Sequence, residues 1–481
     1  MFLTLYDYST CFDSLWLEDT MLSLWDLGIR DEMFPLIHKM NEQALITIRT
    51  PYGLSNEFSC PSIVKQGCVL STNLCGSATG QLINELDVTE DCGATVGSAL
   101  IKGVMFVDDT TTVNSNPIGS HKSNEVVSSF SHRKRLDLNK PKCVQLCVNL
   151  RKSEPPPALF LDDQLIENVK SSKCVGDIYA TNGSKSDLVA ERVKKGQGVT
   201  VSSLSLCNDI TLGQHHVKSS LILYKCVFLA SLLFNSSAWS NITQGQFEDL
   251  ETAQTKHLKR IMQAPNSTSN CLTFLELGIL PIKFEVHRRQ LMYLHHILHV
   301  EPDAPMPLLY EQQSLFTYEP NWANTTKKLL VQYNLQEIDI KSKTKDEWKL
   351  LVDTLVCDVA FTTLKNISST KSKTYQLSYT TFEPQSYLFE TPGDVASFVF
   401  RLRGHILNCR NNHHKAHPIL TCRSCGVEIE TQEHIINCRN VFAGESHLCI
   451  ESLYHDKPQI NVNFIRKVME RYDTFHGKKS L

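Results

Sequence analysis

The sequence has little that would tie it to a membrane, an oxidising compartment or a uniformly charged partner. Leu221 to Phe234 is apolar apart from Tyr224, Lys225 and Ser231, but it is too short to cross a bilayer and reads as a buried helix. Asp7 and Asp13 interrupt the first apolar stretch, which argues against a secretory signal. The 48 basic and 51 acidic residues leave a net charge of −3 and a pI near 6.6. A nucleic-acid partner therefore has to be sought in local patches. The 17 cysteines are odd in number and mostly single, as in Cys226 of LYKCVFLAS. They read as reduced thiols in an intracellular setting, nucleus or cytoplasm. What is present is an ordinary globular composition, 42% hydrophobic and 21% charged over 481 residues, enough for about two to four domains.

The stretch around which the chain is organised is GVMFVDDTTT, Gly103 to Thr112. A short apolar run, a turn and a Thr-rich run predict a hairpin that carries Asp108 and Asp109 at its tip. Asp-Asp is also ordinary turn chemistry, and Asp162-Asp163 in LFLDDQLIE shows the same pattern with no chemistry assigned. An upstream partner exists: Phe2 to Tyr6 reads as a strand that ends in Asp7. Carboxylates from two strand ends make an all-oxygen site suited to Mg²⁺. Two such ions would activate a hydroxyl and stabilise a departing pyrophosphate. Taken alone, Asp7 reads more readily as a helix N-cap than as a metal ligand.

The spacing after Asp7 gives D-x-x-x-x-F-D through Phe12 and Asp13. With DYSTCFD, QGCVLST, FVDD and LDLNKPKC in that order, the chain resembles the reverse transcriptase of non-LTR (LINE-type) retrotransposons. That family reads approximately D-x-x-K-A-F-D, Q-G-x-x-L-S-P, (F/Y)-x-D-D and L-x-x-N-x-x-K-T. The resemblance implies Asp7 and Asp108 as principal Mg²⁺ ligands, with Asp109 beside them. It implies Phe12 as the aromatic gate that leaves no room for a 2′-hydroxyl. Gln66 and Gly67 would line the nucleotide pocket, and Lys142 would stand near the leaving pyrophosphate. Thr10, Thr72 and Cys143 depart from the family's usual lysine, proline and threonine, but no carboxylate is lost.

Further along, helices are expected within residues 14–42, over Cys75 to Leu86 and over His121 to Arg135, with strands within Leu159 to Val169 and near Cys174 to Ile178. The basic run His132 to Arg135, followed by Lys140 and Lys142, reads either as a solvated helix end or as a phosphate-facing patch. Phe247 to Met262 reads as a helix with an ion-paired face. The stretch from PNSTSN to HRRQLMYLHHIL, with Leu277-Gly278 and Arg288-Arg289, resembles the family's thumb and post-thumb region, which would touch phosphates of a template–primer duplex. Residues 301 to about 386 read as loop-rich linkage around one or two helices. In TCRSCGVEIETQEHIINC, Cys422, Cys425, His434 and Cys438 form a C-x2-C and H-x3-C set suited to a closed structural Zn²⁺ site. Before it, Arg401, Arg403, Arg410 and Lys415 stand among four histidines with no acid, the best candidate nucleic-acid-facing patch.

The resulting expectation is an α+β protein: a reverse-transcriptase-like palm over 1–152, a connection and helical thumb over 153–300, a loop-rich linker over 301–400 and a zinc-knuckle domain over 401–481. The implied activity is RNA-directed DNA polymerisation by two-metal nucleotidyl transfer. RNA template, DNA primer or RNA–DNA duplex and deoxynucleoside triphosphates are the partners; no protein partner is implied. Only six residues precede Asp7, so the family's N-terminal fingers are expected to be missing and synthesis impaired. No endonuclease domain is expected either. The competing expectation is an inactive remnant that acts as a nucleic-acid-binding module.

Overall fold

The computed structural model describes residues 1–59, 64–65, 67–150, 156–209, 216–302, 304–317, 320–370, 378–411, 419–438, 440, 453–456 and 458–476. The chain divides into two compact units. One comprises Met1–Leu188 with Glu301–Phe316, the other Val189–Val300 with Thr317–Leu481. No helix among the described residues is long and apolar enough to cross a membrane.

The first unit is built on β1 (Phe2–Tyr6), α1 (Leu17–Asp26), α2 (Met33–Glu42), α3 (Ser71–Val88), β2 (Gly103–Phe106), β3 (Asp109–Asn114), α4 (Pro117–Lys134), β4 (Val144–Cys147) and β5 (Glu167–Asn168). The strands form one sheet in the order β5-β4-β1-β3-β2. β1 lies at its centre, antiparallel to both β3 and β4, while β5 joins the edge parallel to β4. A central strand covered on both faces has little use for alternation. Accordingly Phe2, Thr4, Leu5 and Tyr6 are all buried. The helices close over the sheet through Met21, Leu24, Leu74, Ala78, Leu82, Leu86, Val127 and Phe130. α4 begins at Pro117 behind Asn116, whose side chain accepts from the Gly119 N–H, and it ends at Arg135 in the left-handed region. Fixed φ at the first turn and a satisfied orphan donor explain that start. The helix Pro305–Leu315 belongs to this unit, where Gln312 donates to Ser98 Oγ at the tip of the hairpin Ala94–Ile101.

The second unit is helical: α5 (Gln244–Ile261), α6 (Asn270–Leu277), α7 (Ile282–His299), α8 (Lys345–Thr370) and α9 (Gly393–Arg403) are its main elements. α5 opens with a reciprocal capping box between Thr243 and Gln246. α8 runs for 26 residues inside the stretch read as loop-rich. Trp348, Val352, Val356, Ala360 and Leu364, four apart, are all at most 4% exposed, and the Trp348 indole donates to the Leu291 carbonyl of α7. Leu350, Leu351, Leu355, Val359 and Phe361 spread further apolar side chains around the helix, so no single apolar face stands out in the sequence, which explains the difference.

Candidate active site and candidate metal centre

The sheet register brings the carboxylates together. Tyr6 pairs with Thr110 across β1 and β3, so Asp7 and Asp109 stand one step further along the same ladder. Phe106 pairs with Asp109, which leaves Val107 and Asp108 as a two-residue turn. Val107 has φ +60, a conformation that costs a β-branched residue about 1 kcal/mol or more. Its carbonyl accepts from Thr79 Oγ1 of α3 at 2.8 Å, a bond that holds the tip against the core. Burial first, then the charges of Asp108 and Asp7, push the Asp109 carboxyl above the usual range, with Lys173 opposing. Three mutually repelling carboxylates are the electrostatic complement of a hard cation, so the donor set fits Mg²⁺ in kind. Among the described residues, though, these three do not close on a common point as the Cys/His set below does.

Asp7 does not cap the following helix. That helix starts at Cys11 behind Thr10, which is itself left-handed. Instead, the Asp7 carboxylate meets Lys142 Nζ at 3.3 Å, and its carbonyl accepts from the Asn139 N–H at 2.8 Å. Lys142 ends the short 3-10 turn Lys140–Lys142. Lys140 is anchored by Asp162 at 2.8 Å. The same Asp162 carboxylate receives Ser128 Oγ at 2.9 Å and the His132 ring at 3.2 Å, and these bonds hold it down at about 2. The rest of the basic run is also spent within the unit, Arg133 on Glu85 and Lys134 on Asp19, while Arg135 lies 4.0 Å over the Trp16 ring. These contacts accord with a solvated, ion-paired helix end, at which the His132 and Arg133 side chains stay more than half exposed. The hairpin to which no chemistry was assigned is thus the clamp for the turn that presents Lys142.

In the second unit, Cys422, Cys425, His434 and Cys438 offer ligand atoms that all lie within 4.8 Å of one another. Thr421 and Ile429 pair across the knuckle, Gly426 turns at φ +69 and its N–H donates to the Cys422 carbonyl at 2.8 Å. Thr431 caps the short helix that carries His434. The His434 ring bonds Cys425 Sγ at 3.3 Å through Nε2 and Glu428 at 2.9 Å through Nδ1. The soft, closed four-donor set fits zinc.

The basic patch before it is mostly structural. Arg403 is 0% exposed and grips the equally buried Glu276, so a contact from it to nucleic acid is ruled out by its enclosure. Arg410 donates to the Thr421 carbonyl at 2.7 Å, inside the knuckle. Arg401 is half-buried over the Phe398 ring. Lys415 lies outside the described residues. Both Arg288 and Arg289 of α7 are turned onto Glu285, and Arg289 also donates to the Leu233 carbonyl.

Residues 1–179 match the reverse transcriptase (RNA-dependent DNA polymerase) family model. The match takes in the whole sheet, all three carboxylates and Lys142, and it supports a reverse transcriptase domain over that span. No curated protein matches the chain. Among solved structures, telomerase from Candida albicans in complex with the TWJ fragment of telomeric RNA is similar at 12% identity. That likeness covers 70% of this chain and 50% of the telomerase chain at a TM-score of 0.33, too remote to carry an argument.

Within the reverse transcriptase domain, Phe12 is partly buried against the core beside the carboxylates' strand. Gly67 is exposed at φ +86 with open space where a Cβ would point, so its backbone is accessible to a ligand. Gln66 lies outside the described residues. The loop between them and α3 is held by Lys65, which donates to the Asn41 carbonyl, and by Ser71, which donates to the Lys65 carbonyl. Thr79 and Asp162, which fix the hairpin tip and the Lys142 turn, carry no motif in the sequence. Their partners come from other elements, so only the fold reveals them.

Proposed function

We propose that residues 1–179 are the palm of an RNA-directed DNA polymerase of the non-LTR retrotransposon kind, and that the segment beyond supplies a thumb and a zinc-stabilised C-terminal domain. The observation that supports this most is the register that sets Asp7 beside Asp109, with Asp108 at the adjoining turn and Lys142 at 3.3 Å from Asp7. Asp7 and Asp108 would hold Mg²⁺, with Asp109 beside them. Two bound ions supply activation of a primer 3′-hydroxyl and charge neutralisation at the pyrophosphate. Lys142 offers an ammonium group on the same side, where a point charge offsets the leaving group's developing charge. Phe12 bars a 2′-hydroxyl, while Gln66 and the open backbone at Gly67 receive the nucleotide. Cys422, Cys425, His434 and Cys438 hold one structural Zn²⁺.

A second reading, nucleic-acid binding without synthesis, draws on the failure of the three carboxylates to close on one point. The full chain, supplied with an RNA template, a DNA primer, deoxynucleoside triphosphates and Mg²⁺, decides between the two. Extension that Asp108→Ala lowers by at least about 10²-fold, with duplex binding kept, is the expected result. Duplex bound by both proteins and extended by neither would overturn the polymerase reading and leave the binding module.

A further inference from the structure

Outside the region matched by the family model, α7 and the segment leading into α8 line an open cavity of about 560 Å³. One wall is Met292, His295, His296 and His299 of α7; the other is the segment Lys341 to Lys345. Three lysines at alternate positions and three histidines line it, and no acid does.

The wall segment is fixed before any ligand arrives. The His295 ring donates from Nε2 to the Lys343 carbonyl at 2.9 Å, a bond that ties the loop to α7. Asp339 accepts from the Lys341 N–H at 3.1 Å. Glu347 accepts from both the N–H and the hydroxyl of Thr344 at 2.9 Å. Ser342 Oγ donates to the Asp339 carbonyl at 2.8 Å, and Trp348, fully buried, anchors the exit. The acids nearest in sequence other than Asp346 are therefore occupied in capping backbone. No ion pair joins Lys341, Lys343 or Lys345 to an acid among the described residues. His299 donates from Nδ1 to the His295 carbonyl at 2.8 Å, which leaves its Nε2 turned from the helix. The arrangement is a hydrogen-bonded backbone carrying three cations on flexible stems outside any ion pair, although Lys343 acts on Glu347 through its charge; lysine meets phosphate oxygens in this way as a point charge.

We propose that this cavity is a phosphate-binding site that takes the phosphoryl groups of a nucleotide-containing ligand, separate from the carboxylate site and independent of whether the chain polymerises. The shared chemistry is a phosphate oxyanion held by two or three ammonium groups. Its source is either the backbone of a single strand or a free nucleotide.

The test uses the full chain and the variant Lys341→Ala/Lys343→Ala/Lys345→Ala. Lys341 and Lys345 are exposed and Lys343 partly so, so folding should be kept; circular dichroism and melting confirm it. A fluorescein-labelled 12-nucleotide oligouridylate is titrated by anisotropy across salt. The triple variant should bind at least about tenfold more weakly, with a log–log salt slope about 2 shallower, since each neutralised phosphate of a single strand contributes about 0.7. Lysine acetylation read by mass spectrometry should show Lys341, Lys343 and Lys345 protected by the strand. Millimolar ADP that restores acetylation and releases the strand would assign the site to free nucleotides; protection that survives ADP would assign it to the strand. Unchanged affinity and slope in the triple variant overturn the proposal. So does a strand that binds while the three lysines acetylate at the free rate, or polyglutamate that protects them equally well. The primer-extension assay is run beside these on the wild-type chain and on the triple variant, so a failed polymerase leaves this result readable.

Discussion

Replacing Arg403 by methionine should be among the most damaging single changes in the second unit. Arg403 Nε lies 2.9 and 3.0 Å from the two Glu276 oxygens, and Nη2 lies 2.7 Å from Oε1. Tyr387 donates to the same carboxylate at 2.6 Å, and Tyr379 to its other oxygen. Nη1 caps the carbonyls of Leu453 and His455. Both charged side chains are 0% exposed, so the pair adds little net stability relative to apolar residues, but a lone survivor is costly. Arg403→Met leaves a buried carboxylate with only two tyrosine hydroxyls and removes the donor from two carbonyls, for a loss of about 3–5 kcal/mol. The double variant Glu276→Leu/Arg403→Met should recover part of this, because no uncompensated charge remains. A chain of two compact units need not unfold in one step, so local hydrogen exchange over α9 is the appropriate measurement. Opening in the single variant should rise by roughly 10²–10³. An Arg403→Met protein within about 1 kcal/mol of wild type would refute the argument, as would a double variant as unstable as the two single changes added.

Metal analysis of the purified chain should give one Zn²⁺, which Cys425→Ser removes; chelation should then expose the 422–438 segment to protease. His257, 1% exposed and stacked on Phe228, is held at about 4 by burial and then by Arg260. Its neutral form is the one that folds, so its contribution is complete above the unfolded value near 6.5 and is lost as pH falls towards 4. That is up to about 3 kcal/mol. His257→Phe should flatten this part of the second unit's stability–pH curve, read by urea denaturation. An unchanged slope would contradict it.

The parts legible in the sequence share one property: their determinants are local. The Asp108-Asp109 hairpin, the helix over Ser71–Val88 and the clustered Cys422, Cys425, His434 and Cys438 each lie within a short window, where periodicity or spacing can be counted. Arg403 is the opposite case. In a basic run it reads as part of a nucleic-acid-facing patch, but its partner Glu276 is 127 residues away, and nothing nearby announces it. α8 was obscured because its apolar residues are spread around the helix and mark no single face. The carboxylates were legible as a set, while what stiffens them, the Thr79 bond to Val107, depends on how α3 lies against the hairpin. The sheet also draws an edge strand, Glu167–Asn168, from beyond the palm limit expected at residue 152, since pairing through the backbone needs no distinctive side chains.

The clamp at Asp162 changes what it means for such a site to be intact. Lys142 sits inside a recognisable motif, but its position is set by a residue outside every motif, through Lys140 and with help from Ser128 and His132. A copy of this chain that keeps all four sequence blocks and loses that one carboxylate would pass inspection by motif and still hold Lys142 loosely. An inventory of motifs therefore measures ancestry more faithfully than competence, and the decay of such a site can begin in a turn that no motif covers.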